Sequence, residues 1–354
     1  MSRLADVLPD WRRAHGGVNA TARIRLSCED FQVTELLGFE PQGDGEHDFL
    51  WIEKKGQNTA WVAGLLAKFA GIREPDVGFA GLKDRHAVTR QWFSVRRPGG
   101  VKPDWSAFRA EGVRILEITR HGRKLRRGAH RGNRFCITLR HLSGAESDVA
   151  AKLDVIREQG VPNYFGEQRF GQGARNLRLA EELFAGRRLR RNQRSIALSA
   201  ARSYLFNLVL ERRVSDGTWN RLLPGDLANL DGSGSVFPID TVDDELEARA
   251  AKLDLHPTGP LRGSGRSQVS GDVAGLEQSI IDRHAELARG LESQSVEESR
   301  RALRVRASDL SWHARDERTL SIEFTLGRGS FATALLRETV RPIEPAGKAF
   351  ASPD

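Results

Sequence analysis

The sequence predicts an α+β protein in which a helix-rich segment interrupts a sheet-rich domain built from both chain ends. Three observations predict it: strand patterns crowd the first 140 residues, helical patterns dominate the middle, and a clear strand returns at about Arg318. The length of 354 residues exceeds what one core usually organises, so two domains are expected.

Each element has a local reason. Apolar and polar residues alternate with period two in RFCITLR, where Phe135, Ile137 and Leu139 share a face, and in TLSIEFTL, where Leu320, Ile322, Phe324 and Leu326 do. Shorter candidates are ARIRLS from Ala22, FQVTELL from Phe31, DFLWIEK from Asp48, QWFSV from Gln91 and GVRILEIT from Gly112. Asn58 or Thr59 can cap a helix running to about Ala70, with Trp61, Leu65, Leu66 and Phe69 at helical spacing and Gly71 as its stop. Helical patterns follow at 145–159, 175–185, 195–214, 274–289 and 294–303, and the polar, Gly-rich GPLRGSGRSQVSG from Gly259 reads as a loop. There is no internal repeat, which argues against solenoids and propellers.

Composition narrows the function. With 39% hydrophobic and 29% charged residues the chain reads as an ordinary soluble globular protein. Lys and Arg outnumber Asp and Glu by 55 to 47, a formal net charge of +8. Such a balance suits a polyanionic partner; acidic lipid fits the charge too, but the richness in Arg, whose planar fork matches phosphates and base edges, favours nucleic acid. Cys28 and Cys136 have no Cys or His at metal-ligand spacing, so a disulfide framework and a zinc site are not indicated and a reducing compartment is expected. The opening MSRLADVLPDWRRAHGG lacks the apolar core of a signal peptide, and no stretch approaches a membrane span. A cytoplasmic protein with no membrane partner is therefore expected.

Four segments could carry chemistry. In FAGLKDRHAVTRQWFSV, residues 79–95, Lys83, Asp84 and Arg85 lie in the connection before a strand. Cations beside a carboxylate favour its ionised form, which a nucleophilic or general-base Asp needs; alone, however, KDR is more often a solvated turn. RHGRKLRRGAHRGNRF, from Arg120 to Phe135, carries seven Lys or Arg residues and is the densest basic run in the chain. Arg123, Lys124, Arg126, Arg127 and Arg131 in it, with Lys83 and Arg85, are candidate RNA-phosphate contacts, the glycines letting backbone amides come close; a merely solvated charge run is the lesser alternative. Asn133 at its end can meet a base edge with both a donor and an acceptor, or simply make a turn. VPNYFGEQRFGQGARN, residues 161–176, sets aromatics beside Arg169, either as a platform for unpaired bases or as a packed domain junction. GSFATALLRET, residues 329–339, opens a helix near Phe331, for which a core helix is the simple account. No G-x-G-x-x-G follows a strand, and Walker, H-E-x-x-H and C-x-x-C motifs are missing, so no cofactor and no metal are expected.

Together FAGLKDRHAVTRQWFSV, GVPNYFGEQRFG, LSAARSYLFN and GSFATALLRE, in this order and spacing, resemble the TruD family of tRNA pseudouridine synthases over roughly residues 22–339. The resemblance implies a pseudouridine-synthase catalytic domain, a mixed, largely antiparallel sheet flanked by helices, formed by residues 1–158 and 308–354. A helix-rich α/β domain, 159–307, is inserted into it. The family's catalytic aspartate in its G-x-K-D segment falls on Asp84. Its E-D-F aromatic falls on Phe31, its G-N-x-F asparagine on Asn133 and its S-F-A-T aromatic on Phe331, which are implied to bind uridine. A basic residue six positions before the E-D-F aromatic, Lys in relatives, is Arg25 here, implied to pair with the catalytic carboxylate. Cys28 stands where a Pro often precedes E-D-F. The implied partner is tRNA, with position 13 the target in bacterial members, and a monomer is expected.

That reaction moves the ribose C1′ bond from uracil N1 to C5 and consumes nothing. The uridine must leave its stack, at a cost of a few kcal/mol, so aromatic replacements for stacking and a carboxylate near C1′ are what the chemistry needs. Two rivals remain at this stage: an RNA-binding protein or chaperone without turnover, and a metal-dependent nuclease, which would need clustered carboxylates that the sequence does not display.

Overall fold

The alternating segments become strands; the computed structural model describes residues 8–97 and 102–343. In chain order the strands and helices are β1 (Thr21–Arg23), β2 (Phe31–Leu37), β3 (His47–Lys55), α1 (Thr59–Ala70), β4 (Val77–Phe79), β5 (Val88–Arg96), β6 (Val113–His121), β7 (His130–Ser143), α2 (Glu146–Gln159), β8 (Val161–Pro162), α3 (Arg175–Phe184) and α4 (Arg191–Ser215). They continue as β9 (Leu227–Leu230), β10 (Val236–Pro238), α5 (Asp244–Ala251), β11 (Leu255–Leu261), α6 (Gly271–Arg283), α7 (Ala285–Ser293), β12 (Ser299–Ala302), β13 (Arg304–Val305), β14 (Ser308–Asp316), β15 (Thr319–Gly327), α8 (Ala332–Thr339) and β16 (Arg341–Ile343).

These elements separate into two units. The first comprises the described parts of Asn19–Ala150, Ser308–Gly329 and Val340–Asp354. Its sheet runs β14-β15-β7-β2-β5-β3-β6, with β1, β4 and β16 paired at its margins. The β2–β5 and β1–β16 pairs are parallel and the other pairings antiparallel, so the sheet is mixed and largely antiparallel as expected. On its covered face Phe31, Ile137 and Ile322 lie side by side, then Val33, Phe135 and Phe324, the last two rings stacked at 5.3 Å. Helix α1 starts where Asn58 accepts from the Ala60 amide at 3.0 Å and stops at Gly71, whose φ of 65° suits glycine. Its buried face is Val62, Ala63, Leu66 and Ala67, packed with Leu50, Ile52, Phe93 and Val95, while Trp61 is 44% exposed. The helix thus sits rotated from the expected Trp61–Leu65 face, because the small Ala63 and Ala67 allow close approach to the sheet and the bulky rings do not.

The second unit comprises the described part of Met1–Val18, together with Ala151–Ala307 and Ser330–Thr339. Its core gathers Phe165, Phe170, Leu177, Ala197, Ala201, Leu205, Phe206 and Leu210 around the long α4. It holds more strand than the sequence suggested: a four-stranded sheet in the order β10-β9-β11-β12 and a β8–β13 pair. Strand β11, LHPTGPL, hides behind two prolines and a glycine, and its last residues Gly259–Leu261 were expected in the loop. The predicted helix at 294–303 is instead β12 and the approach to β13; Arg300 on it reaches the buried Glu277 of α6 at 2.7 Å, a tertiary ion pair that local periodicity cannot register. The predicted 274–289 helix breaks at His284 into α6 and α7. In the first unit, β14 begins at Ser308, ten residues before the expected return of strand structure at Arg318.

Candidate active site

The site begins as a loop between β4 and β5 that its neighbours hold by the main chain. The carbonyl of Ala80 accepts from the Gly128 amide at 2.7 Å, and that of Gly81 from Gln91 Nε2 at 3.1 Å. Thr59, the first residue of α1, takes the Lys83 amide at 3.0 Å on its hydroxyl and donates to Gln91 Oε1 at 3.0 Å. From β3, the fully buried Lys54 donates to the carbonyls of Asp84 and Gln57, both at 2.8 Å, and of Lys83 at 3.4 Å. Burial pushes the Lys54 ammonium down from 10.5 to about 8, against the pull of the Asp84 charge. A side chain at Gly81 would crowd the His130 ring, which would lie 3.3 Å from its Cβ. That imidazole is driven down to about 4 by burial and by the Lys83 and Arg328 charges, so it stays neutral.

On this clamped loop the Asp84 side chain is 40% exposed, and its Oδ2 lies 3.0 Å from Arg25 Nη2. Arg25 is 7% exposed, adopts a left-handed φ of 57°, and lays its guanidinium 4.0 Å over the Phe31 ring. Such a backbone costs about 1 kcal/mol for a non-glycine residue, and the ion pair and ring contact offset it. Arg25 and Asp84 are therefore brought together as expected. Phe31, expected to stack on a base, is only 2% exposed, with Arg25 covering its ring; in this arrangement it supports the guanidinium.

Lys83 also departs from expectation. Its side chain is 4% exposed and its ammonium lies 2.7 Å from Glu35 of β2, itself fully buried, which takes it out of reach of an RNA phosphate. Glu35 spends its other oxygen on the Trp92 amide at 3.1 Å. Asn133 sits opposite Glu35 in the β2–β7 register, and its Oδ1 is buried with no hydrogen-bond partner among the described residues. A buried amide oxygen left without a donor carries a desolvation cost that the described residues do not offset.

The basic run is anchored at Leu125, buried with Phe49 and Ala80, and at Arg127, whose guanidinium stacks 3.7 Å over Phe79; Lys124 donates to the Pro75 carbonyl. Arg85, Arg123, Lys124, Arg126, Arg127 and Arg131 are all exposed, consistent with phosphate contact. Phe331 belongs to the second unit, half-buried with Phe165 at 6.1 Å and Arg169 5.9 Å over its ring. Asp30 is structural: 1% exposed and paired with Arg140 at 2.7 Å. Sequence reasoning missed Lys54, Glu35, Thr59 and Gln91. A signal existed: Lys54 falls in phase with Leu50 and Ile52, Glu35 with Phe31 and Val33, and Gln91 with Phe93, so each is a polar residue on the buried phase of a strand. Among the described residues no three His, Cys, Asp or Glu side chains converge as a metal site, and no helix is long and apolar enough to cross a membrane.

Known proteins resemble this chain over nearly its whole length. The family described as tRNA pseudouridine synthase D (TruD) matches residues 15–186 and 177–339. The tRNA pseudouridine synthase D of Methylococcus capsulatus is 49% identical over 96% of both chains, that of Xanthomonas campestris pv. campestris 45% over 96% of both, and that of Nitrosococcus oceani 44% over 94% of both. A crystal structure assigned to TruD from Methanosarcina mazei shares the fold, with a TM-score of 0.68 at 20% identity over 96% of both chains. The chain belongs to the TruD family of tRNA pseudouridine synthases.

Proposed function

We propose that this chain isomerises uridine to pseudouridine in tRNA, at position 13 as the family resemblance implies, with Asp84 as the catalytic carboxylate. The observation that carries the role of Asp84 is its posture: an accessible carboxylate on a loop held by its backbone, oriented by a buried arginine at 3.0 Å. A group held this way meets its target without the cost of ordering at the moment of reaction.

The extruded uridine presents C1′ to Asp84. The carboxylate acts first, on C1′ itself or on a ribose proton, the C1′–N1 bond breaks, the detached uracil turns within the site, and C1′ bonds to C5 as the carboxylate leaves C1′ or returns the ribose proton; the C5 hydrogen then leaves as a proton and N1 takes one up. Asn133 holds the pyrimidine edge during the turn, a role that the family resemblance implies. Arg25 orients Asp84, and Phe31 positions Arg25. The assignment of Phe331 to uridine contact rests on the resemblance alone. Arg85 and the exposed arginines and lysine of residues 123–131 bind tRNA phosphates, which makes affinity fall as salt rises. The enzyme works as a cytoplasmic monomer without cofactor or metal.

The experiment is tritium release from tRNA carrying [5-³H]uridine, with wild type and Asp84→Asn side by side and no added metal or nucleotide. Release by wild type alone supports both the reaction and the residue. Tight tRNA binding with no release from any tRNA would leave an RNA-binding protein on this fold.

A further inference from the structure

The second unit carries a cleft of its own along α4, with a volume of ≈ 410 Å³. Its lining follows one helical stripe, in which Arg191, Arg194 and Arg202 alternate with Ser195 and Ser199 at three- and four-residue spacing, and Phe165 closes the far wall. No carboxylate lines it. The guanidiniums meet neutral acceptors: Arg194 donates to the side chain and carbonyl of Gln294 at 3.1 and 2.9 Å, and Arg202 to the carbonyls of Leu261 and Glu297 at 2.7 and 2.9 Å. Behind them Arg169 donates to Ser199 Oγ at 2.9 Å, and the buried Nε atoms of Arg169 and Arg202 have no hydrogen-bond partner among the described residues. Glu298, whose charge bears on Arg202, is already held by Arg262 at 2.6 Å.

Positive charge gathered in a cleft and left uncompensated by acids is costly unless an anion completes it. Burial already opposes the charge on Arg169 and Arg202. The serine hydroxyls add donors for an anion. A carboxylate ligand would use the fork of one arginine; three arginines spread over about three helical turns, some 16 Å, match successive groups of a polyphosphate backbone better.

We propose that this cleft is an RNA-backbone subsite, in which Arg191, Arg194 and Arg202 bind phosphodiesters of the substrate tRNA away from the uridine being modified. This rests on the reading that tRNA is the substrate and adds how the second unit grips it. Arg191, Arg194 and Ser195 are exposed on the helix, so changing them spares the core.

The test measures tRNA binding by filter retention between 50 and 200 mM salt, for wild type, Arg191→Ala/Arg194→Ala and Ser195→Glu, with single-turnover tritium release on the same samples. The double variant should raise Kd at least about tenfold, the worth of one charge-assisted hydrogen bond, and flatten the salt slope by about one per arginine. Ser195→Glu, which places a carboxylate in the cleft, should weaken binding likewise, and the loss in both variants should appear in Kd and not in the release rate at saturating tRNA. Wild-type Kd and slope in both variants would overturn the proposal. Absence of tritium release from wild type would sink the synthase reading while leaving the binding arms to decide this one.

Discussion

Raising the pH through 8 removes the proton with which Lys54 clamps the Asp84 loop. At pH 7 about nine-tenths of Lys54 is charged; at pH 9 about one-tenth is, given its value of about 8. The neutral amine has two hydrogens for three carbonyls, so one of the bonds to Gln57, Lys83 and Asp84 is lost and the others lose their charge assistance. One such bond is worth about 1.5–3 kcal/mol. If half or more of that appears as misplacement of the carboxylate, the rate falls at least about threefold. Stability moves the other way. The folded value lies below the ordinary 10.5, so between pH 8 and 10.5 the unfolded chain binds more protons than the folded one, and Lys54 contributes up to about 3 kcal/mol of added stability as pH rises through that window. Below pH 8 the full cost of the buried charge is present. Single-turnover tritium release and urea unfolding, each followed from pH 6.5 to 10 on wild type and Lys54→Met, read the two effects apart. The rate should decline with a midpoint near 8 in wild type, while the Met variant runs lower and flat. An alkaline limb that persists unchanged in Lys54→Met would belong to the RNA or to another group and would refute the clamp.

Other consequences follow from the same contacts. Arg25→Ala removes the partner of Asp84 and the cation over Phe31, so kcat should drop by tenfold or more, the scale of about 1.4 kcal/mol, with tRNA Kd nearly unchanged; unchanged turnover would remove Arg25 from the mechanism. Glu35→Ala strands the Lys83 charge in a dry site and should cost about 3–5 kcal/mol in thermal or urea unfolding. The double change Glu35→Leu/Lys83→Met should recover much of that, and a Glu35→Ala protein as stable as wild type would contradict the buried pair. Arg123→Ala/Arg126→Ala should weaken tRNA binding and lower its salt slope by about two, without shifting the alkaline midpoint of the rate; a slope equal to wild type would assign the basic run to solvent.

The division between what the sequence displayed and what it hid is physical. Strands β2 and β15 are legible almost to the residue because one face of each is filled mainly by apolar side chains and the other by polar ones, which imprints period two. Asp84, Arg25 and Asn133 were found through motif resemblance, and pattern alone would have left KDR a turn. Strands β11 and β12 escaped because prolines, a glycine and arginines carry no periodicity, and their stability comes from partners such as Glu277 that lie elsewhere in the chain. The phosphate-binding expectation failed for Lys83 for a related reason. A lysine beside a catalytic aspartate reads as a surface cation until Glu35 is known to face it, and Glu35 is 48 residues away.

The same contrast explains how the site is built. Its accessible chemistry is a single carboxylate, yet the residues that fix it are a lysine, a threonine, a glutamine and a glutamate, each polar and each placed where a strand or helix turns inward. Apolar packing could hold the sheet but could not fix the Asp84 carbonyl, because only a directional donor fixes a backbone oxygen. Burying Lys54 costs about 3 kcal/mol at neutral pH, and that cost is retained because an ammonium can satisfy three carbonyls at once where any neutral side chain would leave one unmet. An unfavourable buried charge beneath an exposed carboxylate is thus a signature readable in a sequence: a lysine in phase with the apolar residues of a strand.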